Sequence, residues 1–123
     1  MAPSKTTPSV SFTEFNNIVD GKLRAGKTSY NGTNPVTGDK LWETPVATEE
    51  DLNDAVKAAR RVFPSWSKTP IDERKRLVKK WVEVFQTYEK EFTDLIVQEC
   101  GKPRTFANGE VKETTNFIVH PSK

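Results

Sequence analysis

An α+β fold weighted towards helix is predicted by three features of the 123-residue sequence. Short apolar patches separated by Asp20-Gly21, Asn31-Gly32 and Gly38-Asp39 fill the first third and read as hairpins. Thr48 to Phe63 is amphipathic at helical period, and Thr69-Pro70 to Gly101 is the longest uninterrupted periodic stretch in the chain. The expected architecture is a small N-terminal antiparallel hairpin or sheet, then an amphipathic helix, a long helix and a weaker third helix.

Met1 to Ser11 is rich in Pro, Ser, Thr and Lys, too polar to repay the entropy of ordering, and reads as a flexible arm ahead of a single domain over 12–123. The patches Phe12 to Phe15, Asn17 to Val19, Thr28 to Tyr30 and Lys40 to Val46 are strand candidates, giving a sheet of two or three strands. Thr48 opens the first helix, with Glu49, Glu50 and Asp51 in the first turn and Asp51 completing a variant capping box. Leu52, Ala55, Val56, Ala59, Val62 and Phe63 share one face, which is expected to be the buried one; Pro64 is expected to end the helix. Trp66 is expected to plug the corner between this helix and an antiparallel successor.

In the long stretch Val78, Trp81, Phe85, Tyr88, Phe92 and Leu95 follow one another in steps of three and four and so lie on one stripe. Thr69 is a candidate cap, Pro70 suits the first helical position, and Gly101 followed by Pro103 supplies the stop. Arg104 to Val119 is the weaker helix: Ala107, Val111 and Ile118 fit one face, but Gly109 costs about 1 kcal/mol against Ala.

Composition narrows the function classes. Hydrophobic residues are 34% and charged ones 29%, enough for one small core. The net charge of +2 does not argue for nucleic acid or membrane. The basic run Lys57 to Lys80 reads as a solvated face, because Trp66 and Trp81 fall at core-like positions and are not interleaved with it. No secretory signal or stretch of about 18 apolar residues is present, and Cys100 is the sole cysteine, so a reducing cytoplasmic setting is expected. In that setting Asn31-Gly32-Thr33 reads as a turn, not as a glycosylation acceptor.

The search for chemistry finds little. There is no Gly-x-Gly-x-x-Gly, no phosphate loop and no Cys-x-x-Cys; His120 is the only histidine, so neither a metal site nor a cofactor site is expected. Cys100 reads as a small core residue at a helix end, and His120 as a tail residue.

Several motifs nevertheless recur in a characteristic order. They are Ile18-Val19-Asp20-Gly21-Lys22, Asn34-Pro35-Val36-Thr37-Gly38, Pro45 to Val56, Ala58 to Phe63 with Trp66, Glu73-Arg74, and Glu99-Cys100-Gly101-Lys102-Pro103. In this order and spacing the chain from Phe12 to Ile118 resembles the start of the aldehyde dehydrogenase family. The resemblance implies the peripheral hairpin and first helices that pack around an NAD-binding domain. It also implies that the family's catalytic cysteine, glutamate base, oxyanion asparagine and nucleotide-binding strands have no counterpart here, and Cys100 does not stand in the nucleophile's motif. After Ile118 the sequence departs from the family, so a truncated protein without self-sufficient NAD-dependent dehydrogenase activity is expected.

A segment of a larger fold inherits apolar surface that the rest would cover. The face formed by Leu77, Val78, Trp81, Phe85, Tyr88, Phe92, Leu95 and Ile96 is accordingly the expected working surface. Its steps make a heptad seam from Val78 to Leu95, and antiparallel pairing would set Arg74, Lys79 and Lys80 near Glu89, Glu91 and Asp94 of a second copy. A homodimer or higher homo-oligomer is the first expectation. Docking onto a full-length aldehyde dehydrogenase is the second. A third is a repurposed non-redox enzyme or binder for a small hydrophobic molecule, with Tyr88 as the candidate proton-transfer residue for isomerisation or cyclisation.

Overall fold

The computed structural model describes residues 10–119. Four short strands precede four helices: β1 (Asn17–Val19), β2 (Lys22–Arg24), β3 (Thr28–Thr33), β4 (Lys40–Val46), α1 (Glu49–Trp66), α2 (Ile71–Gln86), α3 (Glu89–Cys100) and α4 (Arg104–Val119). The helix-weighted α+β class is the one expected. The expected arm falls mostly on residues outside those described, while Ser11 at its end already accepts hydrogen bonds from the Thr13 and Glu14 amides.

The strands form two separate antiparallel pairs in place of one sheet. In the first, Ile18 faces Leu23 across a turn whose residues, Asp20 and Gly21, both have positive φ, as a tight hairpin turn requires. In the second, Asn31-Gly32 is not a turn but lies inside β3, where the register slips between Asn31 and Thr33; a glycine within a strand suits such a bulge. The turn is instead made by Asn34 to Asp39. The Asn34 side chain accepts the Val36 and Thr37 amides, and Gly38 takes positive φ. Phe12 to Phe15 forms no strand. Its rings serve as anchors: Phe12 packs on Tyr88 and Phe92, and Phe15 on Trp42.

Helix α1 begins with the capping box in full. The Thr48 hydroxyl accepts the Asp51 amide, while the Asp51 carboxylate accepts the Thr48 amide at 2.8 Å. Pro64 does not stop it. In the last turn the lost amide leaves few carbonyls orphaned, and the Ser65 and Ser67 hydroxyls donate to the Val62 and Pro64 carbonyls. Nor does Trp66 plug a helix corner. Arg74 does that work, donating to the carbonyls of Thr69 and Ser67 with its guanidinium over the Trp66 ring. Thr69 is not the cap of α2; Pro70 stands there and no side chain caps the helix.

The expected long helix is two helices. At Thr87 and Tyr88 the amides bond back three residues, to Val84 and Phe85, and the Thr87 hydroxyl takes the Val84 carbonyl at 2.7 Å. This tight turn ends α2 and lets α3 restart at Glu89. Helix α3 stops as expected at Gly101, whose φ of 67° places it in the left-handed region.

Helix α4 packs against α3 and α2, and there the main core sits: Val82, Ala107 and Val111 are buried with Thr93 among them. A second, smaller contact joins α1 to β1 through Ala58 and Val19. None of the described large side chains is completely buried.

Candidate functional site

The aromatic stripe is present but divided. Trp81 and Phe85 stack at 5.3 Å and Phe85 and Phe92 at 4.5 Å, so the row continues across the break between α2 and α3. Phe12 then lies 5.5 Å from Tyr88 and 5.4 Å from Phe92 and covers this end. Phe85, Tyr88, Phe92, Leu95 and Ile96 are thereby half-buried, whereas Leu77, Val78 and Trp81 remain exposed. Tyr88 is thus engaged with Phe12. The adjoining cavity of about 190 Å³ lies between Phe12, Trp42 and Leu95, with Glu91 and Asp94 on its wall; Tyr88 does not line it.

Three of the six charges expected to pair between copies have partners within the chain. Arg74 is engaged with the carbonyls at the end of α1. Glu89 accepts from Asn108 at 2.8 Å and lies 3.7 Å from Lys112. Asp94 is held by Lys90 and Arg104, whose bonds keep its carboxyl below the usual carboxylate range. The seam is thus interrupted at Thr87, and half of its expected charges are engaged within the chain.

A different apolar face is uncovered, and sequence reasoning assigned it to the interior. On α1, Leu52 is 62% and Phe63 65% exposed, with Val56, Val62 and Trp66 exposed beside them. The side that meets the hairpin carries buried Ala58 and the carboxylates: Arg24 reaches Asp51 at 2.9 Å and Asp54 at 3.0 Å, and Arg61 reaches Asp20 at 2.6 Å. The helix is therefore inverted with respect to its amphipathic pattern. Periodicity reports that a face is apolar; it does not report what the face meets. The hairpin repeats the theme: Val19 is buried, while the cross-strand pair Ile18 and Leu23 is 69% and 73% exposed.

Catalytic groups are sparse among the described residues. Cys100 is exposed, contrary to its expected place in the core. His120 lies outside the described residues. No group of three or more His, Cys, Asp or Glu that could hold a metal is found among the described residues, and no described helix is long and apolar enough to cross a membrane. The N-termini of α1, α2 and α3 carry Glu49 to Asp51, Asp72 with Glu73, and Glu89 with Glu91. Such carboxylates repel the anions that helix N-termini otherwise attract.

Comparison with known proteins gives this shell a context. The model of the aldehyde dehydrogenase family matches residues 23–120. The aldehyde dehydrogenase LUC3 of Fusarium sp is 37% identical over 111 residues, which is 90% of this chain and 24% of that protein. The putative aldehyde dehydrogenase FUS7 of Gibberella fujikuroi is 35% identical over 93% of this chain and 25% of its own. Among solved structures, the NAD-dependent aldehyde dehydrogenase of Sinorhizobium meliloti superposes with a TM-score of 0.82 at 25% identity, covering 99% of this chain and 26% of that one. The NAD-dependent benzaldehyde dehydrogenase of Corynebacterium glutamicum shares the fold at a TM-score of 0.83. The chain spans about a quarter of the length of the relatives it matches, and on the agreement of family model, motifs and fold it belongs to the aldehyde dehydrogenase family.

Proposed function

We propose that this chain works by completing an aldehyde dehydrogenase fold, supplying its peripheral hairpins and first helices to a polypeptide that holds the redox core. The observation that carries the reading is the kind of surface left open. Much of it is apolar, on α1 and on the outer side of the β1–β2 hairpin. Such a surface suits a piece that packs against further polypeptide.

On this reading the chemistry of aldehyde oxidation lies in the complementary part. The carboxylates in the first turns of α1, α2 and α3 favour a nicotinamide cofactor, named for several relatives, being held by that complementary part. The reading of Tyr88 as a proton-transfer residue is less favoured, because its ring packs on Phe12 and it does not line the adjoining cavity. Self-association remains as a second reading, favoured by one observation: Leu77, Val78 and Trp81 on α2 stay exposed. Light scattering of the isolated chain at micromolar concentration decides it, a monomer ending that reading.

The main reading is tested with a chimaera in which this chain replaces the corresponding N-terminal quarter of an active family member. NAD-dependent aldehyde oxidation by a folded chimaera is expected. An insoluble or inactive chimaera, beside an active parent enzyme, overturns it.

A further inference from the structure

We propose that the cavity lined by Phe12, Trp42 and α3 binds the head group of a small organic cation, an alkylated ammonium, with Glu91 as its counter-charge. The proposal is independent of the completion reading above. Three separate stretches of chain meet at this cavity. Glu91, Asp94 and Leu95 stand at i, i+3 and i+4 and so share one face of α3, while Phe12 comes from the segment ahead of β1 and Trp42 from β4. Both rings have aromatic neighbours of their own: Phe12 stands edge-on to Phe92 at 5.4 Å, and Trp42 lies 5.6 Å from Phe15. At about 190 Å³ the cavity is well below the roughly 300–1,000 Å³ of sites for drug-sized molecules, so it suits a single head group.

The charge balance of the cavity points to a cation. Glu91 is half-buried, and among the described residues it makes no hydrogen bond or ion pair. A carboxylate that has shed part of its water without gaining a partner is stabilised by any cation that can reach it. Asp94, the other carboxylate on the wall, is already held by Lys90 and Arg104, and these two cations line a separate cleft with Thr93 and Asn108. One uncompensated negative charge therefore shares the cavity with two aromatic rings. The rings select the kind of cation. Their negative faces attract a positive charge within about 6 Å, Trp most strongly, and they do so best for an ammonium dressed in alkyl groups. A hard metal ion such as Mg²⁺ or Ca²⁺ needs several oxygen ligands instead, and no group of three or more His, Cys, Asp or Glu that could hold one is found among the described residues. The alkyl groups of an ammonium would meet Leu95 and the two rings, while its charge meets Glu91.

Titration of the isotope-labelled chain with tetramethylammonium chloride, followed by NMR, tests the site. Saturable shifts of the Trp42 indole and of the Glu91 and Leu95 amides are expected, with a dissociation constant in the millimolar range. tert-Butanol, of similar shape but neutral, should give no saturable shift at these positions, nor should sodium chloride at equal ionic strength. Glu91→Gln keeps the shape and removes the charge, so it should weaken binding about tenfold or more while leaving the helical circular dichroism unchanged. Trp42→Leu should weaken it about threefold or more, read on the Glu91 and Leu95 amides. Glu83→Gln, at an exposed position of α2, should bind as the unmodified chain does. Equal shifts with tert-butanol would make the cavity merely apolar, and undiminished binding by Glu91→Gln would make the attraction non-specific. Either result overturns the proposal, as does the absence of any saturable shift. The ligand comparison and Glu91→Gln decide the matter even if Trp42→Leu does not fold.

Discussion

The Arg24 guanidinium donates to the Asp51 carboxylate at 2.9 Å, and through this pair the last residue of β2 is fastened to the first turn of α1. Asp51 is buried and also closes the capping box, so one carboxylate serves both the start of a helix and its attachment to the hairpin. Its acidity reflects this. The Thr48 amide, then the Thr48 hydroxyl and then Arg24 lower its pKa from 3.8 to about 2.

An acid titration should register the arrangement. Between pH 3.8 and about 2 the unfolded chain takes up a proton at this position while the folded chain does not, so stability present above that window is lost as pH falls through it. Asp51→Asn should flatten this part of the acid transition followed by circular dichroism. Parallel transitions in the two proteins would show that Asp51 is not responsible.

Two glycines should respond oppositely to alanine. Gly101 has a φ of 67°, and an added Cβ would stand 3.0 Å from Pro35 Cγ and 3.1 Å from Val36 Cγ2. Gly101→Ala should cost about 1–2 kcal/mol in urea unfolding. Gly109 is exposed within α4 with open space around it, so Gly109→Ala should gain about 0.5–1 kcal/mol.

Ala107 is 0% exposed where α4 crosses α3 and α2. Ala107→Leu should therefore force the helices apart and cost about 1–3 kcal/mol. Thermal unfolding measures the effect, and an unchanged midpoint would mean that the helices are not closely packed at this point.

Phe12→Ala should uncover Tyr88 and Phe92, weaken the near-ultraviolet circular dichroism of the aromatic row and cost about 1–2 kcal/mol. The far-ultraviolet signal should be preserved, because Phe12 belongs to no helix or strand.

Local signals were the legible part of this fold. The Thr48 capping box, the Asp20-Gly21 turn, the stop at Gly101 and the limits of α4 all follow from chemistry within a few residues. The break at Thr87 was hidden because a step of three residues, Phe85 to Tyr88, keeps the stripe in phase through a tight turn as well as through an α-helix. The orientation of α1 was hidden for another reason. Its apolar face is apolar as the pattern says, but the nearest partner, the hairpin, is joined through Arg24 and Arg61, and nothing local tells a helix which side its neighbour will take. For the working surface, the pattern placed Trp81 and Phe85 correctly on a shared row but not the cover that Phe12 supplies from more than seventy residues away.

The pairing of neighbours in this chain bears on how it is made. β1 closes on β2, β3 on β4, and α3 on α4, each with the next element along the chain. Such contacts close short loops and form quickly, so these units can assemble one after another as a ribosome releases them, without waiting for distant sequence. The apolar face of α1 is then finished early and stands in water. That face is as open to aggregation during synthesis as it is in the folded chain.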